Sequence, residues 1–176
     1  MTQDLTQGRP LGMVWRFALP VLLGLMLQQV YSLVDTMIVG HALGVMALGG
    51  VGATGSVNFL VIGFCSGLCT GMTIPLAQAF GAGDHAQLRR YVAGCVWIGA
   101  FVSLAMLALT LPLCRSLLTW MSTPAEQMDY AFDYIFIIFA GIPTTILYNM
   151  GASILRALGD SKTPLYAMVI ASILNI

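Results

Sequence analysis

Four stretches of this chain carry no Asp, Glu, Lys or Arg: between Arg16 and Asp35, between Asp35 and Asp84, between Arg90 and Arg115, and between Asp133 and Arg156. A helix needs roughly 20 apolar residues to cross a bilayer core, and each stretch can hold one. Hydrophobic residues make up 59% of the chain and charged ones 8%, where soluble proteins carry about 25% charged. With 7 basic and 7 acidic side chains over 176 residues, no water-exposed surface can be built. A soluble enzyme, a disordered chain and a nucleic-acid binder are excluded. The last needs a basic face, and the formal net charge is zero.

The pattern predicts an all-α, polytopic membrane helix bundle. Spans are expected at 15–39, 51–80, 91–113, 130–155 and 163–176, after a cytoplasmic segment 1–14. The last stretch gives only about 20 Å of helix, so it is expected to be incomplete and the chain to be a fragment of something longer. The first apolar run exceeds that of a signal peptide and reads as an uncleaved helix. Arg9, Arg16, Arg89, Arg90, Arg156 and Lys162 fall in segments that alternate onto one side, against Arg115 alone on the other. The positive-inside rule then places the N-terminus in the cytoplasm.

Turn residues punctuate the runs. Gly81 or Gly83 is expected to stop span 2 in a left-handed conformation, and Gly159 to end span 4. Asp84 suits an N-cap for span 3, with Gln87 completing a capping box, and Pro164 suits the first turn of span 5. Pro75 and Pro143 are expected to kink their spans.

Most motif-like features read as packing. Gly50-x-Gly52-x-x-Gly55 matches a dinucleotide fingerprint literally, but it follows one membrane span and opens another, so close helix approach is the better reading. Gly63, Gly67 and Gly71 make a small-residue ridge expected to pack on a neighbouring span, with homodimerisation as the alternative. Thr54, Ser56, Asn58, Ser66, Thr70 and Thr73 read as interhelical glue. Cys65 and Cys69 share a face, yet His41 and His85 are the only histidines, so no metal site is expected and these cysteines read as core.

Asp35 is different. It is the acidic residue well inside an apolar span, and Gln28, Tyr31, Ser32 and Asp35 make one polar stripe at helical spacing. Lipid would penalise that stripe, so it should face protein or an aqueous cavity. A carboxylate reaching the outer interface, or one paired to a basic residue, is the structural alternative. An acid so placed suits a proton or cation switch: leaving water favours the neutral carboxyl, a bound Na⁺ the anion, and either event changes local charge by one unit. Tyr31, one turn away, can hydrogen-bond the carboxyl in either state. Pro20 removes a backbone donor on the same helix, where a bend is expected. Asn149 and Asn175 are costly in lipid and should face the interior.

These residues resemble the multidrug and toxic compound extrusion (MATE) transporters. The segments FALPVLLGLMLQQVYSLVDTMIVGHALG, IPLAQAFGAGD and ILRALGDSKTPLYAMVIASILNI carry the likeness. The resemblance implies the N-terminal lobe of a twelve-span transporter, truncated in span 5, in a bacterial-type cytoplasmic (inner) membrane. It implies an antiporter rather than an enzyme, with no cofactor, exporting cationic or amphipathic compounds against H⁺ or Na⁺. Its partners are those small molecules, the lipid bilayer and the absent C-terminal lobe. Asp35 matches the family's acidic residue late in span 1, Tyr31 the tyrosine before it and Pro20 the bending proline. Asn175 resembles the span 5 asparagine of the ion site, while a second family carboxylate falls beyond Ile176. Gln28, Ser32 and Asn149 are cavity-lining candidates. Two alternatives stand beside this: a lipid-linked saccharide flippase, disfavoured because spans 1–3 hold no cation for a pyrophosphate, and a non-transporting membrane scaffold.

Overall fold

The computed structural model describes the backbone of residues 10–175; the side chains of Pro10, Leu174 and Asn175, and all of residues 1–9 and 176, lie outside the described residues. The described elements are all helical: α1 Pro10–Met72, α2 Ile74–Gly81, α3 His85–Trp120, a 3-10 turn Ala125–Gln127, α4 Met128–Ala140, α5 Ile142–Ala157 and α6 Lys162–Asn175.

α1 is two helical arms, 10–43 and 45–72, joined at Gly44. That residue has φ 82° and ψ −177°, a region essentially confined to glycine. The Leu48 side chain lies 3.6 Å from where a Gly40 Cβ would sit, so the chain folds back across the break. The arms are roughly 50 Å and 40 Å long, each beyond the hydrocarbon thickness. By length and apolarity, Leu11–Gly81 and His85–Trp120 can cross a membrane, and the bent pair Ala125–Ala140 and Ile142–Ala157 makes a third candidate.

The helix breaks have local causes. Pro75, without an N–H, sits in the first turn of α2, directly after the interruption at Thr73. α4 and α5 bend by 47° at Gly141, two residues before Pro143. The fourth expected span is therefore broken rather than continuous. Pro20, by contrast, lies inside α1 with helical backbone, and α1's interruption is at Gly44 instead.

Three helix ends share one geometry. After α2, Gly83 (φ 70°) takes the left-handed position, Gly83 N donates to Phe80 O, and Asp84 N donates to Ala79 O. After α5, Gly159 (φ 81°) does the same, with Gly159 N on Arg156 O and Asp160 N on Leu155 O. After α3, the left-handed residue is Ser122 (φ 57°), with Ser122 N on Thr119 O and Thr123 N on Leu118 O. Asp84 caps α3 through Oδ1, which accepts the Ala86 and Gln87 amides. Gln87 does not complete a capping box in the structure; its Oε1 accepts the Tyr91 hydroxyl.

Two compact units divide the chain. The first takes the chain up to Leu33, Cys69–Val96 and the chain from Asn149; the second takes Val34–Leu68 and Trp97–Tyr148. The first unit buries Cys69, Leu76, Ala79 and Cys95. The second buries Val61, Cys65, Cys114 and Leu118, with Ala131, Ile135 and Phe139 at every fourth position of α4. Large apolar side chains such as Phe59, Trp97 and Phe101 are turned outward, as a lipid solvent demands.

Candidate functional site

Asp35 sits on the first arm of α1, in the second unit, and is half-buried. A structural carboxylate in an apolar helix would be expected to pair with a cation. The one Lys or Arg of that unit is Arg115, near the end of α3, and the unit also contains His41. Its guanidinium lies 3.9 Å from the Asp129 carboxylate and 5.9 Å from the Phe132 ring centroid. Arg115 is thus engaged by α4 residues, and no ion pair joins Asp35 to a described residue. The structural alternative for Asp35, a partner for a basic side chain, finds no support within its unit.

The rest of the stripe falls in the first unit. Tyr31 is half-buried, while Gln28 and Ser32 are exposed. Neither Tyr31 nor Ser32 is without a partner. Gly24, one turn before Gln28, marks what this side of α1 meets: a Cβ there would lie 3.8 Å from Leu165 and 4.0 Å from Met168 of α6. α6 is also the helix that ends at Asn175, whose side chain lies outside the described residues. Pro20 and Asn149 are half-buried in the first unit, and Asn149 also has a polar partner.

The small residues separate into two groups. At Gly50 a Cβ would be 3.0 Å from Ala131 N and 3.0 Å from Tyr130 Cβ, and at Gly49 it would run into the Gln127 amide. There α1 and α4 approach closely, as read from sequence at Gly50. Gly52 and Gly55 of the same motif face open space. So do Gly63, Gly67 and Gly71: all three are exposed, with nothing within 4 Å of an added Cβ, so the ridge does not pack on another described segment. Between 47 and 69 the second arm buries the other side, through Ala47, Thr54, Val61, Cys65 and Cys69. The hydroxyls of Thr54 and Thr73 bond their own helix, at Val51 O (2.7 Å) and Thr70 O (2.8 Å), rather than a neighbour. Asn58 Oδ1 is buried without a hydrogen-bond partner.

Sequence reasoning missed Gly44, Ser122 and the Arg115–Asp129–Phe132 group. Only Gly44 carried a signal, as a glycine in the short segment GHALG between two apolar runs.

The family model described as MatE matches residues 20–176. The probable multidrug resistance proteins YoeA and YpnP of Bacillus subtilis are 32% and 33% identical to the chain, over 97% and 98% of it and 38% and 39% of themselves. A solved MOP superfamily transporter from Pyrococcus furiosus, described as having a binding pocket of reversed polarity suggestive of a different function, superposes with a TM-score of 0.90. It is 28% identical, over 98% of this chain and 38% of its own. The chain therefore spans about two-fifths of the length of the relatives it matches.

Proposed function

This chain belongs to the MatE family, and from that premise we propose that it is the N-terminal part of a cation-coupled exporter of cationic or amphipathic compounds. In this reading H⁺ or Na⁺ is the coupling ion and Asp35 is the group whose charge it changes. The observation that carries the reading is the half-buried carboxylate of Asp35, which forms no ion pair with a described residue, in a unit whose one Lys or Arg, Arg115, lies beside Asp129 and Phe132. A carboxylate left without a fixed counter-ion in an apolar helix is available to a mobile cation.

Tyr31 precedes Asp35 by one turn on the same helical arm, where its hydroxyl can follow the carboxyl in either charge state. Pro20 supplies the point at which that arm can bend, and Asn175 is assigned to the ion site with the residues that follow it. Gln28, Ser32 and Asn149 line the path of the exported compound. A cavity for an anionic pyrophosphate would need cations, and no Lys or Arg lies within 17–80 or 91–113.

The distribution of charge supports a cytoplasmic N-terminus, and the inner membrane is part of the same proposal. Arg16, Arg89, Arg90, Arg156 and Lys162 fall in segments that alternate onto one side in chain order, against Arg115 alone on the other.

The test uses the full-length transporter carrying this segment. Drug efflux driven by an imposed H⁺ or Na⁺ gradient is compared for the native protein and its Asp35→Asn form. Loss of gradient-driven efflux by tenfold or more in the variant is expected, on the order of the loss of one charge-dependent step. Coupled efflux that is unchanged would reject Asp35 as the coupling group.

A further inference from the structure

The first unit holds more cationic side chains than its carboxylates can neutralise. Its two described acids are Asp84 and Asp160, and both are engaged in starting helices. Asp84 Oδ1 accepts the Ala86 and Gln87 amides. Asp160 accepts the Lys162 and Thr163 amides and the Thr163 hydroxyl. Of the basic residues, Arg156 is half-buried and donates to Ser153 Oγ at 3.2 Å. Arg16, Arg89, Arg90 and Lys162 are exposed, and none forms an ion pair with a described residue.

These cations lie on helices that also carry exposed aromatic and aliphatic residues close to them in the chain. On α1, Arg16 follows Trp15 (61% exposed), and Leu19 is one turn along. On α3, Arg89 and Arg90 precede Tyr91, and Arg89, Ala93 and Val96 share one exposed face. On α6, Lys162, Tyr166, Ile170 and Ile173 form a continuous exposed stripe, with Tyr166 61% and Ile173 70% exposed. An amphipathic ring between a cation and an apolar stretch is the arrangement that settles at the boundary between headgroups and acyl chains. α6 has this full order along one face, while α1 and α3 pair an exposed cation with exposed aliphatic surface one turn along, so a phosphate can meet a cation on each helix while its acyl chain lies on the helix below.

We propose that this unit carries an anionic-phospholipid surface in which Arg16, Arg89, Arg90 and Lys162 bind headgroup phosphates of acidic lipids. The partner is an acidic lipid in particular, because a zwitterionic headgroup brings its own cation to the same place and gains little from an excess of five cations over two carboxylates among the described residues of the unit. The surface is independent of the transport reading and does not involve Asp35.

The test reconstitutes the full-length transporter carrying this segment in phosphatidylcholine bilayers with a minor fraction of phosphatidylglycerol. Spin-labelled forms of the two lipids report their relative occupancy of the protein boundary. The native chain should enrich phosphatidylglycerol several-fold, each exposed cation contributing up to about fivefold at low salt, and added salt should erode the preference. The Arg16→Gln, Arg89→Gln, Arg90→Gln, Lys162→Gln chain should approach parity. Two variants separate charge from folding: Arg89→Lys with Arg90→Lys should keep the preference, and so should Arg115→Gln. Parity in the native chain, enrichment that survives the fourfold substitution, or an equal loss in Arg115→Gln would overturn the proposal.

Discussion

Asp160 Oδ2 accepts the Thr163 hydroxyl at 2.7 Å, while its Oδ1 accepts the backbone amides of Lys162 and Thr163 at 3.0 and 3.1 Å. A carboxylate aimed at the first amides of α6 holds that helix at its start. The Thr163 hydroxyl first, then the Thr163 amide, lower the Asp160 pKa from 3.8 to about 2. A depressed folded-state value means that the ionised cap stabilises the fold at neutral pH. The contribution is complete above the ordinary value of 3.8 and is lost as pH falls through about 2. Asp160→Ala should lower the unfolding free energy in detergent by about 1–2 kcal/mol at pH 7. The difference between native and variant should shrink across that acid window, as measured by circular dichroism. A constant difference down to the lower value would mean that the side chain acts by packing and not by its charge.

Gly44 and Gly52 make a matched pair. A Cβ at either meets nothing within 4 Å, so sterics with neighbours are equal. Gly44 has φ 82° and Gly52 lies within the second helical arm of α1. Gly44→Ala should therefore cost about 1–3 kcal/mol of backbone strain. Gly52→Ala should be neutral or gain up to about 1 kcal/mol of helix propensity. Thermal unfolding of both variants in one detergent checks this, and similar effects at the two positions would contradict the break at Gly44.

The sequence pattern made the helices legible because lipid leaves the backbone little choice: a charge-free apolar run must satisfy its own N–H and C=O groups. The glycines ending α2 and α5 were legible for a similar reason, since their left-handed position excludes most side chains. Ser122 takes that position without a residue type that announces it. Helix faces were less legible. A glycine ridge looks the same whether it meets a neighbour or open space, so Gly50 and Gly63 could not be told apart without α4 beside one of them. Asp35 could be singled out because an acid in an apolar run is unusual, but the occupation of Arg115 by Asp129 depends on a contact between α3 and α4 that no local pattern encodes.

Ser122 offers a gain in stability. Its φ of 57° is left-handed, and the hydrogen bonds around it match those at Gly83 and Gly159. Ser122→Gly relieves the Cβ penalty without removing those backbone bonds, so stability should rise by about 0.5–1 kcal/mol. Denaturant titration in micelles reads the change, and a loss of stability would show that the Ser122 side chain holds the loop itself.

The final prediction sets Gly50 against the ridge. A methyl at Gly50 would press on Ala131 N and Tyr130 Cβ, both 3.0 Å away, and backbone cannot yield as a flexible side chain can. Gly50→Ala should cost about 1–3 kcal/mol through overpacking, and Gly50→Val more. At Gly63, Gly67 and Gly71 the added methyls meet no described atom. Each Ala there should leave the stability of this chain unchanged or raise it by up to about 1 kcal/mol. The triple variant is the sharper measurement, because small gains add when sites do not touch one another's partners. If the triple variant unfolds at a lower temperature than the native chain, the ridge is buried against something in the folded protein. If Gly50→Ala proves neutral, α1 and α4 do not approach as closely at this point as the structure has them.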